Sequence, residues 1–232
     1  MNITKITNRN TLFTTKENKD SDINMGVIHG NKHNFIVDTG IGGNCAKAIL
    51  DYTGDDKKPI IVINTHHDWD HVAGNWVFEH CTIIAHKLCR ELMDTHWDKH
   101  IHGAKERNAF ILGELRKCLP NVLFEDSVYF PEDGIIIFHT PGHTPDSISV
   151  YDKVDKVLYV GDNFGAVNDK LMYWGWEAGD NTTHFRQRLG MENDYDFEIC
   201  VFSHGGAQTK ESLAELENEC RDWMEKGCPG DE

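Results

Sequence analysis

Four residues able to hold a metal ion fall within six positions, His66, Asp68, Asp70 and His71 of the run HHDWDH. In an extended loop, residues 66 and 68 point the same way, and a turn redirects 70 and 71. Four such side chains cannot all face one ion, so the spacing suits two adjacent ions. The plainer reading is a polar loop that caps the next helix with Asp70. Three further segments count against it: His143 in HTPGHTPDS, Asp162 in VLYVGD and His204 in VFSHGG. Each alone would pass for a loop histidine or a helix cap; together, in this order, they form a ligand set. Gly142 and Gly205 beside two of them suit tight turns. Two divalent ions about 3.5–4 Å apart share a water and lower its pKa toward neutrality. The metal-bound hydroxide attacks a carbonyl or phosphorus centre, and no Ser, Cys or Lys nucleophile is needed. Asp70 is the candidate to orient that water or take its proton.

Elements that could position these residues are legible around them. NFIVDTG at 34–40, IIVINT at 60–65, VLYVGD at 157–162 and CVFSHG at 200–205 read as buried strands ending in the polar positions. Gly42-Gly43 opens a helix to about Asp51, residues 72–79 read as a short helix, and Lys210–Lys226 as a terminal one. Residues 86–119 read as mostly helical, broken near Gly103, and rich in His and Trp. Inserted between the first two ligand motifs, this segment is the expected helical substrate lid. The candidate residues thus sit past the C-terminal ends of strands, where α/β folds place their sites. No low-complexity linker divides the chain, so residues 1–232 read as one domain.

The chain resembles the metallo-β-lactamase superfamily over nearly its whole length. It carries Asp38 in VDTG, then an H-x-[HD]-x-D-H loop, His143, Asp162 and His204, in the family order. The resemblance implies an α/β fold, a four-layer αββα sandwich. It implies that His66, Asp68 and His143 hold one ion, that Asp70, His71 and His204 hold the other, and that Asp162 bridges them. It makes Asp38 the residue that buttresses the metal loop without binding metal. One position departs, since the family loop usually has His where this chain has Asp68. Flavodiiron proteins, a branch of the superfamily, carry a glutamate there and bind iron. The expected cofactors are therefore two divalent ions per chain, zinc, or iron or manganese in at least one position.

Composition narrows the activity. With 38 acidic against 23 basic residues, the net charge of -15 disfavours nucleic-acid partners. No run is long and apolar enough for a membrane span, and the N-terminus lacks the pattern of an export signal. Seven cysteines without a CxxC fit reduced thiols, and with them a cytoplasmic location. These features leave a dinuclear hydrolase of a small ester, thioester, lactone or phosphodiester. The competing class is iron redox chemistry of the persulfide dioxygenase or flavodiiron kind. The first would not need the second triad, and the second needs a fused flavodoxin domain. Tyr173, Trp174 and Trp176 follow Asp162 closely and could line an apolar pocket or close the end of the sandwich. His96 and His100, four apart, have the spacing of a metal pair on a helix, but a solvated face with Trp97 beneath is the simpler reading. Nothing in the sequence fixes the oligomeric state.

Overall fold

Period-two alternation builds the centre of the molecule. A computed structural model gives the structure at residues 1–54, 56–167, 170–172 and 195–214. The first sheet runs in chain order, β1 (Asn2–Lys5), β2 (Asn10–Lys16), β3 (Asp22–His29), β4 (Asn34–Val37), β5 (Ile60–Ile63), β6 (Thr82–His86) and β7 (Val122–Phe124). It is antiparallel up to β4 and parallel from β4 to β7. In β4, Phe35 and Val37 face inward and Ile36 outward; in β5, Ile61 and Ile63 face inward and Val62 outward. Strands buried on both faces have no polar alternate, which is why these runs read as continuously apolar.

The second sheet holds β8 (Ser127–Phe130), β9 (Ile135–His139), β10 (Ile148–Asp152) and β11 (Val157–Tyr159). A small ribbon follows, β12 (Gly165–Val167) with β13 (Lys170–Met172), before β14 (Ile199–Phe202) and β15 (Gly206–Thr209) complete the sheet in the order 15-14-11-10-9-8. Ile135, Ile137, Ile148, Val150, Val157 and Val201 meet Leu12, Ile28, Phe35, Ile63 and Ile84 of the first sheet between the two layers. The outer face of the first sheet is covered by α1 (Gly43–Thr53), whose Cys45, Ala46 and Ile49 are buried, and by part of the long helix α3 (Lys87–Glu106). Between them lie the single turn α2 (Trp69–Val72) and a 3-10 turn at Asn75–Phe78. Helix α3 lays Cys89, Met93, Trp97, Ile101 and Ala104 inward at helical spacing. Phe138, Tyr151, Leu158, Phe197, Phe202 and Leu213 fill the outer side of the second sheet. The architecture is the αββα sandwich.

The structure corrects the expected helix over 86–119. Gly103 does not break α3, because the apolar stripe continues to fully buried Ala104. The helix ends at Glu106, where Asn108 turns left-handed (φ 54°) and Ala109 donates back to the Ala104 carbonyl. Residues 109–118 contain no helix and form a strap, with Leu112 donating to the Ile41 carbonyl and Gly43 to that of Glu114. The expected terminal helix begins at residue 210 and is described only to 214.

A polar clamp joins the sheets at one end. Asn10 donates to Asp152 (2.8 Å) and accepts from the Tyr159 hydroxyl (2.9 Å), and Arg9 pairs with Asp152. This fixes the Tyr159 ring over Gly26 of β3, where a Cβ would stand 2.5 Å from Cε1. Gly26→Ala must therefore overpack a ring that cannot swing away. It should cost about 1–3 kcal/mol, read as a lowered urea midpoint with unchanged slope. A wild-type midpoint would show that the two sheets can separate locally.

Candidate metal centre

Five connections leave the C-terminal ends of strands at one edge of the sandwich. Asp38 follows β4, Thr65 to His71 follow β5, His143 lies between β9 and β10, Asp162 follows β11 and His204 follows β14. Parallel pairing of β4 with β5 and of β11 with β14 forces these ends to one side. Asp68 occupies the N-cap position of α2, yet its carboxylate makes no capping bond. Helix capping therefore does not account for the acidic loop. Gly205, at φ +115°, passes so close to Ala166 that a Cβ would lie 2.5 Å from its backbone nitrogen, so the turn that presents His204 requires glycine.

All seven expected ligands come together. Asp68 Oδ2 stands 3.3 Å from His143 Nε2 and 3.5 Å from His66 Nε2. Asp70 Oδ2 stands 3.3 Å from His204 Nε2 and 3.6 Å from His71 Nε2. Asp162 Oδ2 lies between the two groups, 3.4 Å from His71, 3.5 Å from His204, 3.7 Å from His143 and 3.9 Å from His66, each at Nε2. Donors about 2.0–2.2 Å from a tetrahedral ion stand roughly 3.3–3.6 Å from one another, so the spacing is that of ligands around cations. The first group is the more open, with Asp68 28% and His143 17% exposed at the side chain, against 11% or less for Asp70, His71 and His204.

Three of the imidazoles are turned by bonds at their far nitrogens. His71 Nδ1 donates to Asp38 Oδ2 (2.8 Å), and His204 Nδ1 donates to the Asp22 carbonyl (2.7 Å). The Thr65 hydroxyl donates to Asp38 Oδ2 (2.7 Å) and lies 3.1 Å from His66 Nδ1, placed to accept its proton. Asp38 Oδ1 also accepts from the Thr65 backbone N–H (2.8 Å). Asp38 itself is almost fully buried and held at φ 61°, a conformation non-glycine residues avoid. These bonds place the Nε2 lone pairs toward the carboxylates, the tautomer a metal requires.

Charge supplies a second test of fit. Burial alone would raise the Asp162 carboxyl, but His71 and His204 reverse this and hold it far below the usual range. Burial alone would lower His204, but Asp162 and Asp70 raise it to about 9. His71 is likewise pushed well up, by Asp162, Asp70 and Asp38 against its own burial. Three carboxylates this close demand cations, and without metal the histidine protons must supply them. Buried Nε2 of His66 and His71 and Oδ1 of Asp162 make no hydrogen bond among the described residues. Such atoms cost roughly 1–3 kcal/mol each unless something binds them. The donor set fits divalent ions.

The expected aromatic pocket residues Tyr173, Trp174 and Trp176 lie outside the described residues. Thr65, Asn163, Asp146 and His67 belong to the surroundings of the site and were not singled out from the sequence. Asn163 accepts from the His143 backbone N–H (3.1 Å) and donates to the Thr140 carbonyl (2.8 Å), fixing the loop. Thr65 and Asn163 each adjoin a ligand, and that adjacency was the signal available. Because Asp38 touches no ligand atom that faces the carboxylates, Asp38→Ala removes orientation alone. It should weaken metal retention or turnover about 10- to 100-fold. Chelator competition on the purified variant measures this, and wild-type retention would reduce Asp38 to a turn residue.

The family model described as "Metallo-beta-lactamase superfamily" matches residues 19–204. Acyl-coenzyme A thioesterase MBLAC2 of Gallus gallus is 23% identical over 176 residues, 65% of this chain and 61% of that protein. The chain thus spans about three fifths of the length of that relative. The probable metallo-hydrolase MJ0888 of Methanocaldococcus jannaschii is 28% identical over 185 residues, 75% of this chain and 84% of that one. Among solved structures, TMB-1 superposes with a TM-score of 0.74 at 18% identity, covering 96% of this chain and 98% of that one. The metallo-beta-lactamase from Pontibacter korlensis does so at 0.70 and 19% identity, covering 94% and 98%. These structures share the fold. With the family match across most of its length, the chain belongs to the metallo-beta-lactamase superfamily.

Proposed function

We propose that this chain is a dinuclear hydrolase of small acyl substrates, thioesters first among them, with His66, Asp68 and His143 holding one ion, Asp70, His71 and His204 the other, and Asp162 shared. The observation that carries this reading is the single oxygen, Asp162 Oδ2, within 3.4–3.9 Å of four imidazole nitrogens drawn from both groups. A carboxylate with one triad to serve would have no reason to sit between two. The thioester choice is supported by the thioesterase relatives, since an acyl carbonyl is the electrophile such a site can polarise. When bound, two divalent ions acidify a water and polarise the scissile carbonyl. The chain's own part is to fix the four imidazoles, hold the central carboxylate away from bulk water, and accept the water's proton at Asp70. Substrate enters from the more open side, past Asp68 and His143, where α3 forms the wall and acts as the lid. Thiols buried at Cys45, Cys89 and Cys200 support a reducing compartment such as the cytoplasm.

The metals follow from charge. Asp68, Asp70 and Asp162 bring three negative charges to two divalent ions, whereas the usual His at position 68 would leave two. The additional hard oxygen favours iron or manganese in the first position more than an imidazole triad does. It also makes the ion there a weaker Lewis acid.

Two experiments test this. A panel of acyl thioesters, lactones and phosphodiesters should show turnover highest on a thioester. Asp162→Ala should lower that turnover by more than the roughly 100-fold that losing an outer-sphere partner costs; a fully active variant would remove the shared-carboxylate mechanism. Separately, Asp68→His should shift metal preference toward zinc when both proteins are reconstituted with zinc, manganese and ferrous iron. Equal preference in the two proteins would show that residue 68 does not select the metal.

A further inference from the structure

A second set of imidazoles lies outside the seven ligands. His96 and His100 stand one turn apart on α3, and the structure brings His67, from the metal loop, opposite both. Ring centroids are 5.7 Å apart for His67 and His96, 5.3 Å for His67 and His100, and 5.7 Å for His96 and His100. One nitrogen from each lies within 4.8 Å of the other two. Trp97 packs beneath as the simpler reading had it and both histidines are half-buried, but the solvated face also meets a buried side chain, His67. His67 is only 8% exposed, and its Nδ1 donates to the fully buried carboxylate of Asp146 at 2.9 Å. That bond leaves the His67 Nε2 lone pair facing outward, the arrangement by which carboxylates orient metal-bound histidines.

Asp68 is the link to the main centre. Its Oδ2 faces His66 and His143, while its Oδ1 faces the other way, 3.7 Å from His67 Nε2 and 3.5 Å from His100 Nδ1. A histidine at position 68 could present one lone pair to one ion. A carboxylate can serve an ion on each side.

We propose that His67, His96 and His100 form a third divalent-cation site, of the imidazole-rich kind that suits zinc, with Asp68 Oδ1 completing it. The ion would tie α3 to the loop that carries the first triad. His100, 23% exposed at its side chain, leaves the site accessible from solvent. The tri-histidine part needs no metal elsewhere; the shared role of Asp68 rests on the two-ion reading above.

The test counts zinc on the full chain after equilibrium dialysis, by elemental analysis. Wild type should bind about three ions and His96→Ala/His100→Ala about two, whereas Asp162→Ala should keep the ion held by His67, His96 and His100. Cobalt substitution should show one set of ligand-field bands missing from the double variant. Alanine favours helix, so α3 should persist, and the single variants serve should the double one unfold. Two ions in both proteins would overturn the third site and leave the two-ion reading standing. Three ions in both would place the additional ion elsewhere and also overturn it. One ion in the double variant with two in wild type would support the tri-histidine site while overturning the dinuclear reading.

Discussion

A carboxylate oxygen on a nearly buried side chain, ringed by imidazole nitrogens, needs positive charge beside it. Asp162 Oδ2 is such an oxygen, and two more carboxylates, Asp68 and Asp70, stand at the same centre. In the interior their mutual repulsion is poorly screened. The upward displacement of His71 and His204 and the downward displacement of Asp162 are the same demand seen from its two sides. Protons can meet it, but each proton occupies a lone pair that would otherwise bind metal. Metal and proton therefore compete for one place, and the fold has settled the rest of the geometry before either arrives.

That settlement is made by groups that do not touch the centre. Asp38 collects hydrogen bonds from the Thr65 backbone, the Thr65 hydroxyl and His71, so one carboxylate sets the start of the metal loop and the orientation of a ligand at its end. Its left-handed backbone, which only the surrounding structure can maintain, is the conformational cost of placing that carboxylate under the loop. The Asp22 carbonyl does for His204 what Asp38 does for His71. It comes from the start of β3, whose neighbour Asn24 also bonds the Phe202 and Ser203 carbonyls, so one strand of the first sheet steadies a loop of the second. The two sheets are joined at the site by polar bonds and in the middle by aliphatic packing.

The candidate residues were legible in the sequence because His66, Asp162 and His204 close apolar strands and the others lie in short polar motifs beside such strands. The sandwich followed from the family resemblance; the residue pattern by itself showed the buried parallel strands, through their unbroken aliphatic runs. What escaped has physical reasons. β1 is exposed along its whole length and so carries no hydrophobic alternation, and its pairing with β2 is a backbone matter. The end of α3 turns on Asn108, a residue type that tolerates a left-handed turn but does not announce one. The strap at 109–118 has apolar residues, Ile111, Leu112 and Leu115, at a spacing that also suits a helix; its attachment to the start of α1 decides otherwise. His67 is the spacer between ligands in the motif, and no local pattern shows that it meets His96 and His100, about thirty residues further along the chain; only the packing of α3 against the loop reveals it.

The unequal exposure of the two triads gives the site a direction. Asp70, His71 and His204 sit beneath the sheet edge, with Asp38 and the Asp22 carbonyl behind them. Asp68 and His143 are more open, and His100 of α3 stands over the same carboxylate from outside. In the proposed reaction an acyl group approaches the buried triad past the open one. In that reading residue 68 lies where metal preference, approach of the substrate and contact with α3 meet. A carboxylate there is shorter than the usual imidazole, and it presents a second oxygen outward where a ring would present an edge. The approach to the centre is correspondingly more acidic and less obstructed, and α3 answers that acidity with imidazoles.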